Sequence, residues 1–123
     1  MVMQGDLYWA DIADRSTSDL TSRRPCVIIQ NNLLNQSRLA TVVVCTLTSN
    51  LRRAAARGNV LLRAGEGNLP AASVVNVTQM YTVDKDTLET KIGSLSTRRI
   101  QEILAGVNLV IEPREPSRQE EDF

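Results

Sequence analysis

The stretch SRRPCVIIQNN, residues 22–32, sets two arginines and a proline directly before a short apolar run and closes that run with three amides, Gln30, Asn31 and Asn32. The run is too short for a helix and is β-branched at Val27, Ile28 and Ile29, so it reads as a buried strand. Pro25 suits the first residue of that strand, where its missing N–H does least harm. Packing alone does not call for cationic donors at one end of such a strand and amides at the other. The segment therefore points to a strand that carries chemistry at its ends.

TVVVCTLT (41–48) is a second β-branched run of the same buried type. GDLYWADI (5–12), GNVLLR (58–63) and ASVVNVTQM (72–80) follow turn-forming residues and read as further strands. TKIGSL (90–95) is a weaker strand after DKDTL, which suits a turn or a short helical turn. Short strands separated by polar loops predict a small antiparallel barrel or sandwich. The polar connections 13–24 and 31–40 flank the most apolar strands, where small domains usually place function.

The end of the chain differs. Ser96 is a natural N-cap, and Ile100, Ile103, Leu104, Val107 and Ile111 follow at helical spacing, predicting one amphipathic helix over 97–111 laid against the sheet. Pro113 stops it. Residues 1–112 make one domain, and 113–123, with two prolines and many charges, form a mobile tail.

Composition narrows the chemistry. The chain has 123 residues, the size of one core, and no apolar run as long as a membrane span. Its first residues have neither a basic start nor an apolar signal core, which predicts a cytoplasmic protein. Cys26 and Cys45 lie in apolar runs and read as buried thiols. The net charge is zero, but residues 15–63 carry eight arginines against Asp19 alone, an asymmetry that favours a polyanionic partner. There is no histidine. That excludes Ser–His, Cys–His and paired-histidine chemistry, and with two cysteines it makes a zinc site a poor reading. An enzyme built from this composition works with carboxylates, arginines, hydroxyls and backbone donors, with no cofactor.

GDLYWADI, RRPCVIIQNN, TVVVCTLTSN, GNVLL, SVVNVTQMYTVDKDTL and IGSLS, in this order and spacing, resemble the MazF/PemK family of toxins over residues 4–110. The resemblance implies a mainly β, SH3-like small barrel of the MazF/CcdB toxin type with a C-terminal helix. It implies a homodimer, and a metal-independent endoribonuclease that cuts single-stranded RNA at short sequences. It also implies an antitoxin partner whose acidic C-terminal segment blocks the site. The family's catalytic arginine, just before the strand-opening proline, falls on Arg24, and its catalytic threonine, closing the third strand, falls on Thr48. Its Gln-Asn pair falls on Gln30 and Asn31, and Ser49 and Asn50 continue the threonine motif towards the RNA. The family commonly has Gly-Ser-Glu-x-Gly-Gly before the arginine. Here the segment is STSDLTSR, in which Ser18 and Asp19 stand for Ser-Glu and the glycines are replaced.

The residues support that chemistry on their own terms. Attack of a 2′-hydroxyl on the adjacent phosphate needs the hydroxyl's proton removed, the phosphorane's charge stabilised and the 5′-oxygen protonated. A guanidinium is planar, permanently charged and bidentate towards phosphate, which suits Arg24 to the charge. Thr48 can hydrogen-bond a phosphate oxygen, and Asp19, the sole acid of the basic half, can accept the 2′-proton. Arg23, pointing oppositely to Arg24 in extended backbone, reads as an outer phosphate contact, and Arg38, Arg52, Arg53 and Arg57 as contacts along the RNA backbone. Each has a plainer reading. An arginine before a strand is usually a solvated edge charge, a threonine an ordinary β-former and a Gln-Asn pair a turn former. With so few aromatics a broad base-stacking platform is not expected, and Trp9 reads as core or dimer contact. Two other classes stay open: a gyrase-poisoning toxin on the same fold, acting through its terminal helix, and a non-catalytic RNA-binding module.

Overall fold

The computed structural model describes residues 1–12 and 23–116. Six strands form one antiparallel sheet: β1 (Asp6–Asp11), β2 (Arg23–Ile28), β3 (Thr41–Thr48), β4 (Val60–Leu62), β5 (Ser73–Asp84) and β6 (Leu88–Ser94). Their spatial order is β4-β5-β3-β2-β1-β6. A short helix, α1 (Asn32–Asn35), follows β2, and a longer one, α2 (Thr97–Ile111), ends the fold. This is the expected mainly β architecture, a half-barrel sheet with one C-terminal helix.

The apolar runs are continuous rather than alternating because the curled sheet buries side chains on both faces. Val27, Cys45, Leu47, Val75 and Val77 join Leu7 and Ile103 in one cluster, while Cys26, Ile28, Val42 and Val44 join Ala10 and Ile12 in another. The period of two along β2 thus sends adjacent apolar residues into different cores. The two cysteines are divided in the same way. Cys45 lies opposite Val27 and Cys26 opposite Thr46, so the thiols leave opposite faces of the sheet. Both are free and buried, and burial pushes each thiol up to about 12.

β2 begins at Arg23, two residues before the expected start, so both arginines belong to the strand. Pairing with β3 begins only at Cys26, so Pro25 is unpaired on that side, while on the other it lies opposite Trp9 of β1. β5 runs to Asp84, four residues past the expected end, because Thr82, Val83 and Asp84 pair with the start of β3. Residues 31–40, read as a plain connection, contain α1.

Helix α2 spans the predicted residues, and Ser96 caps it by accepting from the Arg99 N–H. Ile103 is buried in the core, with Ile100 and Val107 packed beside it. Ile111, counted with that face, is 65 % exposed, and Val110 beside it is exposed as well. The helix is also clipped by charge. Arg99 donates through Nε and Nη2 to both oxygens of Glu66 (2.8 and 3.0 Å) and through Nη1 to Glu102 (2.8 Å). The Arg63 N–H also donates to Glu66 at 2.7 Å. The hydrogen bonds from Arg99 and Arg63 hold the Glu66 carboxyl down at about 2.

A carboxylate lowered in the folded state stabilises the fold above its unfolded pKa, and that stabilisation is lost as pH falls from about 4.5 towards 2. Glu66→Gln should therefore lower the unfolding free energy from urea titration at neutral pH by about 1.5–3 kcal/mol, for the charged hydrogen bonds removed. The gap to the parent should narrow as pH drops through this window. A gap independent of pH would mean that the clip contributes through packing and not through charge.

Candidate nucleic-acid interface

β1, β2 and β3 meet the segment Leu69–Ser73 at one end of the sheet and enclose a cleft of about 280 Å³. Arg23, Arg24, Thr48 and Ser49 line it, together with Trp9 and Pro70 among others. The antiparallel register explains the meeting. Cys26 lies opposite Thr46, and continuing that register by two residues sets Arg24 opposite Thr48, on the same face of adjacent strands. Arg24 is half-buried at this point, with its Nε shielded from solvent. The Thr48 hydroxyl oxygen accepts from the Asn50 N–H at 3.1 Å, which orients it and leaves its proton to donate elsewhere.

Arg23, next to Arg24 on the strand, borders the same cleft. Its guanidinium lies over the Trp9 ring, 4.6 Å from the centroid, and its Nε donates to Glu89 at 2.7 Å. Trp9 is half-buried and lines the cleft, so it is neither a plain core residue nor remote from the site. The wall formed by Leu69, Pro70, Ala71 and Ser73 was also not among the expected site residues, since nothing in that loop's sequence marks it as close to Arg24.

The amides at the far end of β2 do something else. Gln30 lies six residues beyond Arg24 along extended chain, about 20 Å away. It is 7 % exposed, and its Nε2 donates to Asn35 Oδ1 at 2.9 Å while Asn35 Nδ2 donates back to the Gln30 carbonyl at 2.8 Å. Asn31 caps α1 by accepting from the Leu34 N–H at 3.0 Å. Asn32 accepts from the Gln4 N–H at 2.7 Å. This network ties the 31–40 segment to the residues before β1 and, through Gln30 Nε2 and the Thr41 carbonyl, to the start of β3; Gln30 is thereby buried, while Asn31, which caps α1 through its Oδ1, stays exposed, and neither lines the cleft.

The remaining arginines spread out. Asn50 caps a 3₁₀ turn, Leu51–Ala55, that displays Arg52 and Arg53 on the surface, next in sequence to the cleft residues Thr48 and Ser49. Arg38 is exposed in the α1–β3 connection, outside the cleft lining. Ser18 and Asp19 lie outside the described residues. Two larger grooves, about 490 and 550 Å³, flank α2 and include Arg57 and Arg99 respectively, but neither contains Arg24 or Thr48. Among the described residues no three His, Cys, Asp or Glu side chains cluster as a metal site would need, and no helix is long and apolar enough to cross a membrane.

Comparison with known proteins gives a consistent result. The family model described as "PemK-like, MazF-like toxin of type II toxin-antitoxin system" matches residues 3–111. The chain is 38% identical over 112 residues to endoribonuclease MazF2 of Mycobacterium bovis, covering 91% of this chain and 98% of that one. It is 30% identical over 109 residues to endoribonuclease MazF of Staphylococcus saprophyticus, covering 89% and 90%. Among solved structures, a mycobacterial endoribonuclease in complex with its cognate antitoxin superposes with a TM-score of 0.75 at 22% identity, over 94% of this chain and all of that one, and so shares the fold. A sheet in this order, an arginine and a threonine of adjacent strands lining one cleft, and a family match over nearly the whole chain agree: the protein belongs to the PemK-like, MazF-like toxins of type II toxin–antitoxin systems.

Proposed function

We propose that this toxin is a metal-independent endoribonuclease that cuts single-stranded RNA by attack of the internal 2′-hydroxyl, leaving a 2′,3′-cyclic phosphate and a 5′-hydroxyl. The observation that carries the reading is that Arg24 and Thr48, from the adjacent strands β2 and β3, line one cleft. The guanidinium is permanently charged and forks onto two phosphate oxygens, and the threonine hydroxyl adds one donor to the same phosphate. Fixed donors aimed at developing charge are usually the largest catalytic contribution. Asp19 accepts the 2′-proton and the 5′-oxygen takes its proton from water. The names of the similar proteins, all endoribonucleases, support the same assignment. A gyrase poison would not need this pair.

The test is to incubate purified protein with naked RNA in excess EDTA, over a salt series. Cleavage should persist with chelator and weaken steeply with salt, because Arg38, Arg52 and Arg53 release counterions when they meet phosphates. Intact RNA would exclude the nuclease, and cleavage that vanishes with EDTA and returns with magnesium would exclude the metal-free route.

Two partners follow. One is an antitoxin whose acidic C-terminal segment lies across the toxin, which the antitoxin complex among the structural neighbours supports. The other is a second copy of the chain, supported by the exposed apolar side chains Leu33, Leu34, Val110 and Ile111. Light scattering at micromolar concentration should return the mass of a dimer, and a monomer mass would count against pairing.

A further inference from the structure

Trp9 and Arg23 make a second feature of the cleft that the cleavage chemistry does not use. The Arg23 guanidinium covers the indole at 4.6 Å and is held there by Glu89 of β6, 2.7 Å from its Nε. The hold is light, since the Arg23 and Glu89 side chains are 51% and 44% exposed. The β1–β6 register shifts around Trp9, between Tyr8 and Ala10. A flat apolar ring beside a phosphate-binding arginine, covered by a planar cation, is a surface on which a planar base can take that cation's place.

We propose that Trp9 is a nucleobase-stacking subsite, occupied by Arg23 in the RNA-free protein, and that RNA binding exchanges the guanidinium for a base. The inference rests on the reading of this cleft as an RNA site. Magnitudes favour the exchange, because an exposed cation–π contact and an exposed ion pair are each weaker than a base stacked on an aromatic side chain. The displaced Arg23 keeps its charge and turns to the flanking phosphate. Stacking at one ring orients the nucleotide beside Arg24 and Thr48 without reading its sequence.

Trp9 is the only tryptophan in the chain, so its fluorescence reports this subsite alone. The full-length protein is titrated with a fluorescently labelled, uncleavable 2′-O-methyl RNA of mixed sequence, and separately with an abasic tetrahydrofuran-phosphate oligomer of equal length. Binding is followed independently by anisotropy of the label. The expected result is that the RNA changes Trp9 emission in step with binding, while the abasic oligomer binds and leaves it unchanged. Trp9→Leu should weaken RNA binding about tenfold, with most of the loss in cleavage appearing in KM, and Trp9→Phe should restore most of it. RNA that binds with Trp9 emission unchanged, an abasic oligomer that changes it equally, or a folded Trp9→Leu that binds RNA at parental affinity would each overturn the subsite. Absence of RNA binding by anisotropy would instead overturn the RNA reading itself, and the subsite with it.

Discussion

Arg24→Ala should reduce RNA cleavage about 10²–10³-fold while the protein remains folded by circular dichroism, because the loss of one preorganised donor to developing charge has that effect. In a chain without histidine no neighbouring side chain can take over as a mobile cationic acid, so the phosphorane depends on this guanidinium. Arg24→Lys should fail as well, since an ammonium is a point charge and cannot fork onto two phosphate oxygens. Thr48→Ala should fall less far, losing one neutral donor. RNA binding should fall less than rate, as Arg52 and Arg53 still meet the backbone. A folded Arg24→Ala protein cutting at the parental rate would place the active site elsewhere.

The second large effect concerns the fold that holds this site. Gly106 lies on the buried face of α2, where a Cβ would stand 2.1 Å from the Gly58 carbonyl oxygen and 3.0 Å from Val77. Gly58 cannot retreat cheaply, because it sits at φ +86° in the turn before β4. Alanine at position 106 gains about 1 kcal/mol in helix propensity but must push the helix off backbone, which outweighs that gain. Gly106→Ala should lose about 2 kcal/mol net, a fall in melting temperature of about 8 °C for a domain of this size. A melting temperature equal to or above that of the parent, as propensity alone would give, would show that α2 does not pack this tightly.

Much of this was legible in the sequence, for identifiable reasons. Helix α2 was readable to its ends because its apolar period and Ser96 agree. β2 and β3 were readable because residues buried on both faces leave no polar interruption. The end of β5 was not, since Thr82 and Asp84 take strand form only by pairing with β3. Arg24 and Thr48 stand 24 positions apart, and only the tertiary fold brings both to one cleft; the family resemblance implied a shared site for them. The local bonds of Gln30 and Asn31 were not legible, because no sequence pattern announces the buried Gln30–Asn35 pair or the cap that Asn31 gives α1. The place of Trp9 beside the cleft was not legible either, because the cation over its ring comes from the neighbouring strand.

The most direct measurement is the chemistry of the cut ends. Purified protein acts on a defined RNA in excess EDTA, and the fragments are resolved by mass spectrometry. A matched RNA carries a single 2′-O-methyl at the cut nucleotide. Attack by the internal 2′-hydroxyl predicts 2′,3′-cyclic phosphate and 5′-hydroxyl ends from the first RNA and no cut at that position in the second. Fragments ending in 3′-hydroxyl and 5′-phosphate, or equal cleavage of the methylated RNA, would contradict the account.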